Sequence, residues 1–207
     1  MKTLWTFGAS QTEGFTSSHK WASNYVKWKG YTPKVFGQLI SEKLGYDFNN
    51  LGTAGVDNYT IFETYCNNIK KIHETDIVII CWTDVVRFRL AINDNWEIFT
   101  ADTTESTFED FPVDFLTKCL VNRYENKLYT EEINNFIDFI SHTSKCKIIN
   151  WTDFYGNLKC TKLLGFQTIN EETNGILKDP HYSEKGHIDL SEKLMNLIEN
   201  NTNKFLI

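Results

Sequence analysis

DIVIICW, residues 76–82, decides how the chain folds. After Asp76 every residue is apolar, with no alternation, so a strand here needs cover on both of its faces. On its N-terminal side, VDNYTIFETYCNNIKKI carries Ile61, Phe62, Tyr65, Ile69 and Ile72 at helical spacing. On its C-terminal side, Ile133, Phe136, Ile137 and Ile140 of EEINNFIDFISHT repeat in the same way. Further out, residues 2–7 form an apolar strand ending at Gly8, and YDFNNLG and CKIINW read as two more short strands. TPKVFGQLISEKLG reads as a helix with Thr32 as N-cap, Pro33 in the first turn and Gly45 as its stop. Its Val35, Phe36, Leu39 and Ile40 share one face. A closing helix begins after Ser183 and presents Ile188, Leu190, Leu194, Leu197 and Ile198.

Short apolar strands alternating with amphipathic helices give an α/β fold, a three-layer α/β/α sandwich around a mainly parallel sheet. Two stretches stand outside that rhythm. TSSHKWASNYVKWKGY is polar and aromatic and carries no helix signal. Residues 84–112 form an excursion or flap, in which NWEIFT reads as a short strand and ADTTESTFEDF as acidic and polar; a helical pattern returns over residues 113–124. With no internal repeat or linker, residues 1–207 read as one domain.

Composition excludes several classes of function. A net charge of −6 leaves no excess of Lys and Arg to neutralise phosphates, so no nucleic-acid partner is expected. With 41% hydrophobic, 14% aromatic and 23% charged residues, the chain has the balance of a globular protein. No apolar run approaches the ~20 residues of a membrane span. The N-terminus lacks the apolar stretch of a signal peptide, which implies a cytoplasmic setting. Cys66, Cys81, Cys119, Cys146 and Cys160 form no C-x-x-C pair and no ligand rhythm with the histidines. Reduced thiols and no metal are the expectation. The N-x-[ST] triplets at Asn58, Asn150 and Asn200 read as chance in an Asn-rich chain.

In an open α/β sheet the functional site lies at the carboxyl ends of the strands. Those ends are FGASQTEG, NNLGTAGVDN, CWTD and NWTDFYGN, and LKDPHYSEKGH stands just before the last helix. A lone serine in a polar turn is ordinarily a turn residue, and a histidine beside a helix start is ordinarily surface. Ser10 together with Asp179 and His181 supplies a nucleophile, a base and a group that orients the base. Pro180 biases Asp179 toward extended backbone, and residues two apart in an extended segment project to the same side. Asp179 is therefore expected to reach the imidazole of His181. GASQTEG lacks the spacing of a P-loop, GTAG that of a dinucleotide site, and no G-x-S-x-G elbow is present. Cys81 reads as core filling before it reads as a nucleophile, and His19, His73 and His142 have no comparable partners. Trp21, Tyr25 and Trp28 either line a substrate entrance or cover the core.

The order of these motifs resembles that of the GDSL-type serine esterases, the SGNH hydrolase superfamily. FGASQTEG is similar to the G-D-S-x-T-x-G opening, with Ala9 in place of the usual Asp. The resemblance makes Ser10 the nucleophile, with its backbone N–H as one oxyanion donor. It makes Gly55, in NNLGTAGVDN, a second donor. IVIICWTD matches the third block, normally G-x-N-D after an apolar strand, with Cys81 for its glycine and Thr83 for the oxyanion asparagine. KDPHYSEKGH matches the last block, although Asp179 precedes His181 by two positions rather than the usual three. Asn58, three residues after Gly55 at the start of the following helix, is the expected replacement for the missing amide donor, with Thr83 as the alternative. The expected activity is hydrolysis of a short-chain or O-acetyl ester, with a carbohydrate as one carrier of the acyl group, without metal or organic cofactor. Acyl transfer on the same fold and a non-catalytic binding or structural domain are the alternatives. Oligomeric state is not legible.

Overall fold

The computed structural model describes residues 2–15, 19–92, 94–100, 117–119, 121–123, 127–154 and 156–200. Five strands form one parallel sheet in the order β2-β1-β3-β6-β7. They are β1 (Thr3–Gly8), β2 (Asp47–Gly52), β3 (Ile77–Trp82), β6 (Lys147–Thr152) and β7 (Thr161–Lys162). The helices are α1 (Ser10–Glu13), α2 (Lys20–Lys29), α3 (Phe36–Leu44), α4 (Asn58–Asn68), α5 (Lys127–Thr143), α6 (Ile169–Glu172) and α7 (Glu184–Asn200). A short antiparallel hairpin, β4 (Phe88–Ile92) and β5 (Asn95–Phe99), stands apart from the sheet.

The unbroken apolar run of β3 is explained by its position. Ile77, Ile79 and Cys81 face one core, formed with Phe36 and Ile40 of α3 and with Leu190, Leu194 and Ile198 of α7. Val78, Ile80 and Trp82 face the other, formed with Ile61 and Tyr65 of α4 and Ile133, Ile137 and Ile140 of α5. The three layers follow from this two-sided burial. Register also matters for what comes next, because Gly8 pairs with Gly52 at the carboxyl ends of β1 and β2.

At the opposite end of the sheet, buried Asp76 ties the strand starts together. One carboxylate oxygen accepts from the Thr3 N–H at 2.9 Å; the other accepts from the Trp5 indole and the His73 N–H, both at 3.0 Å. Asp76→Ala strands three donors, each costing ~1–3 kcal/mol when buried without a partner. A fall of about 3 kcal/mol or more in urea unfolding is expected. A loss below ~1 kcal/mol would mean that water replaces the carboxylate without penalty.

Several local expectations change. TSSHKWASNYVKWKGY contains a ten-residue helix, α2, closed by Gly30 in the left-handed conformation at φ 79°. Thr32 and Pro33 lie outside α3, whose N-cap is Val35 in extended backbone at φ −84°, ψ 160°. Val35 is drawn into the core with Phe15, Tyr25 and Ile169, which delays the start of the helix. Gly45 does end α3, at φ 67°. NWEIFT forms β5, and the hairpin docks on α4 through Arg89, which donates to Glu63 at 2.8 and 3.0 Å. ADTTESTFEDF lies outside the described residues; of the helical pattern at 113–124, residues 117–119 and 121–123 are described and helical. β7 and α6 have no counterpart in the sequence reading.

Candidate active site

Ser10 is the first residue of α1, directly beyond the end of β1. The N–H groups of Thr12 and Glu13 close the turn on the Ala9 carbonyl at 2.9 and 3.0 Å. The turn is tightly packed: a Cβ on Gly8 would lie 2.2 Å from Thr12 Oγ1 and 2.9 Å from Cys81 Cβ. A Cβ on Gly52 would lie 2.4 Å from the Glu13 backbone nitrogen. Two side chains then hold α1 on β2. Asn50 Nδ2 donates to the Thr12 carbonyl at 2.8 Å, and Glu13 accepts from the Ala54 N–H at 2.6 Å.

Asp179 and His181 meet as the D-P-H stereochemistry implies. Asp179 Oδ1 sits 2.7 Å from His181 Nδ1 and also accepts the His181 backbone N–H at 2.9 Å. Burial opposes ionisation of Asp179, but the two His181 hydrogen bonds outweigh it and hold the carboxyl below its ordinary value. With Nδ1 so occupied, the Nε2 edge of the imidazole is the one left for a second partner.

Residues the sequence reading did not single out join the two segments. Gln11, beside Ser10, accepts the backbone N–H of Tyr182, beside His181, at 3.1 Å. The Tyr182 hydroxyl in turn donates to Asp153 Oδ2 at 2.8 Å. The serine turn and the histidine loop are thereby fixed side by side. Asp153 follows NWT at the end of β6, so its strand-end position was a signal; its partner, 29 residues on, was not visible. Burial pushes the Asp153 carboxyl up, against the Tyr182 hydroxyl and the charges of Arg87 and His181. Its Oδ1 is buried with no hydrogen bond among the described residues. Trp21 lies face to face with His181, ring centroids 3.9 Å apart and planes within 7°. Of the other two aromatics, Tyr25 is buried and Trp28 is exposed.

The third block takes an unexpected form. The Asn58 side chain pairs with the backbone of Thr83 through two bonds: its Oδ1 accepts the Thr83 N–H at 2.8 Å, and its Nδ2 donates to the Thr83 carbonyl at 2.9 Å. One N–H of that carboxamide is left over. The Thr83 hydroxyl, on a residue only 1% exposed, makes no hydrogen bond among the described residues. Gly55 adopts φ +81°, and a Cβ built there meets nothing within 4 Å, so its backbone borders open space. Cys81 is fully buried and burial pushes its thiol well up, which suits a core residue and disfavours the reactive thiolate. All five cysteines are free thiols.

His187 is a further buried histidine behind the site. Its Nδ1 accepts the Phe36 N–H at 3.4 Å, and Phe15, Phe36 and Tyr182 surround its ring. Burial, with a smaller contribution from His181, lowers its pKa from 6.5 to about 3. Between those values the unfolded chain binds a proton that the native state refuses, so stability falls as pH falls. The limiting slope is about 1.4 kcal/mol per pH unit. Urea series at pH 7.5, 6 and 5 should show this decline in the parent protein and a flatter one in His187→Asn. Equal slopes would assign the decline to other groups.

No family model matches the sequence, and no curated protein matches it either. Solved structures do match. One is a carbohydrate esterase whose active site is described as displaying divergent catalytic and non-catalytic binding functions. It is 11% identical, with 100% of this chain and 70% of that chain covered at a TM-score of 0.52. A mutant of an acetyl-xylooligosaccharide esterase from Geobacillus stearothermophilus is 15% identical, with 97% and 95% covered at 0.50. The chain shares the fold of these two esterases, helices on both faces of a parallel sheet. A G-D-S-L-family lipolytic protein from Veillonella parvula also matches, at 11% identity, 97% and 100% coverage and a TM-score of 0.40. The parallel sheet brings the ends of β1, β2 and β3 together with the loop before α7. Among the described residues no group of three or more His, Cys, Asp or Glu side chains could hold a metal ion, and no helix is long and apolar enough to cross a membrane.

Proposed function

We propose that the protein is a serine esterase acting on a short-chain or O-acetyl ester, with a carbohydrate as a fitting alcohol component. The observation that carries this reading is the Asp179–His181 pair at 2.7 Å, tied through Tyr182 and Gln11 to the turn that bears Ser10. A histidine whose Nδ1 is held by a carboxylate keeps Nε2 available as a base. The likeness in fold to a carbohydrate esterase and an acetyl-xylooligosaccharide esterase supports the choice of ester.

In this mechanism Ser10 Oγ attacks the ester carbonyl carbon as its proton passes to His181 Nε2. The carbonyl electron pair moves to oxygen, where the backbone N–H groups of Ser10 and Gly55 and one side-chain donor stabilise it. The Thr83 hydroxyl and the spare N–H of Asn58 are the two candidates for that donor. Collapse expels the alcohol, which takes the proton from His181, and leaves an acyl group on Ser10. Water, deprotonated by the same histidine, attacks the acyl carbon; the bond to Ser10 Oγ breaks, Oγ takes the proton back from His181, and the acid leaves. A competing acceptor hydroxyl at this last step would make the protein an acyltransferase.

A non-catalytic domain is the second reading, and the specific observation behind it is Thr83 in place of the oxyanion asparagine. Labelling the folded protein with a fluorophosphonate separates the two. One covalent adduct on Ser10, absent from Ser10→Ala, is the result expected of the esterase. No adduct on the folded parent protein would establish the second reading. Product analysis with and without a sugar acceptor distinguishes hydrolysis from transfer.

A further inference from the structure

We propose that Trp21 is a positioning residue for the His181 base, fixing the plane of the imidazole and favouring its protonated form during attack; this rests on the esterase reading above. The rings are stacked, with planes within 7° and centroids 3.9 Å apart. Such contact covers one face of the imidazole. Because Asp179 holds the Nδ1 edge, the ring retains one free direction for proton transfer, through Nε2. As Ser10 Oγ–H breaks and its electron pair forms the bond to the carbonyl carbon, the proton arrives at Nε2 and the ring becomes a cation. A cation over an indole face is attracted by the ring quadrupole, and most strongly where water is excluded.

The platform is anchored for this purpose. Phe15 meets the Trp21 indole nearly edge-on, at 6.1 Å and 66°, which sets its tilt. One and two turns along α2, Tyr25 and Lys29 bind the elements on either side of the histidine loop. The Tyr25 hydroxyl donates to Glu172 of α6, and Lys29 reaches Glu172 at 3.1 Å and Glu184 of α7 at 2.6 Å. The Glu184 N–H donates back to the Tyr25 hydroxyl at 2.9 Å. Glu184 opens the helix that follows His181, so the helix that bears the indole is tied by these carboxylates to the elements on either side of the imidazole's loop. A residue that only covered the core would not need such registration with the base.

The test uses the full chain and p-nitrophenyl acetate as probe. Trp21→Leu should lower kcat by about ten-fold with KM within about two-fold, and Trp21→Phe should recover most of the loss. Fluorinated tryptophans placed at position 21 keep the shape of the indole while draining its face, so they report even if the leucine variant folds poorly. A stepwise fall in kcat with added fluorine, at constant melting temperature, is expected. A flat response across the fluorinated series would overturn the proposal. Ser10→Ala and His181→Ala run beside these variants: retained hydrolysis in either overturns the esterase reading, and with it this inference. Their loss together with a flat fluorine series overturns the inference alone.

Discussion

Asp179→Asn is expected to lower kcat by about 10⁴-fold while leaving the melting temperature and KM nearly unchanged. The carboxylate performs two tasks through one oxygen, accepting both the backbone N–H and the ring Nδ1–H of His181. An asparagine oxygen can retain the first bond, so the turn survives. Its uncharged amide neither favours the imidazolium nor enforces the tautomer with a proton on Nδ1. If the amide NH2 rotates to face Nδ1, the ring proton moves to Nε2 and the base is lost. Asp153→Asn is the control, because Asp153 is a second carboxylate whose titration feels the charge of His181. An Asp179→Asn protein with more than a tenth of parental activity, beside an inactive Asp153→Asn, would transfer the orienting role to Asp153.

Thr83→Val should lower kcat by about 10²-fold or more without loss of stability. The substitution exchanges a hydroxyl for a methyl of equal size. The hydroxyl is buried and unpartnered among the described residues, so removing it relieves a desolvation penalty and breaks no bond found there. Reduced turnover with an equal or higher melting temperature is the signature of a group held for the transition state. Asn58→Ala should behave differently, because it also strips the N–H and carbonyl of Thr83 of their partners. Turnover and melting temperature should then fall together. Full activity in Thr83→Val would pass the donor role to the remaining amide N–H of Asn58.

The parts legible in the sequence are those governed by local chemistry. DIVIICW announced a strand covered on both faces, and β3 is buried on both. The proline between Asp179 and His181 foretold a pair projecting to one side, and the two side chains do meet. The helix α2 escaped because its lysines and aromatics show no clean apolar face within the segment. Its face becomes intelligible only through Glu172 and Glu184, 143 residues or more away. Thr32 looked like a cap because it is a good one chemically, but packing of Val35 outweighed that preference. Gln11 offered no signal, since its partner at Tyr182 lies 171 residues further on. The pairing of Asn58 with Thr83 was equally hidden: both were candidates, and their union across 25 residues was not foreseeable.

The strand order β2-β1-β3-β6-β7 puts the N-terminal strand between its sequence neighbours, whereas the histidine loop arrives with the final helix. β1, β2 and β3 and the short α1 come from the first 82 residues, so their pairing needs no contribution from the histidine loop. His181, the proposed base, cannot join them until α7 has docked. During refolding, therefore, secondary structure and tryptophan burial should return before esterase turnover does. The turn bearing Ser10, the proposed nucleophile, would then be in place first. The pairing of that turn with the proposed base would form only when α7 closes onto α3.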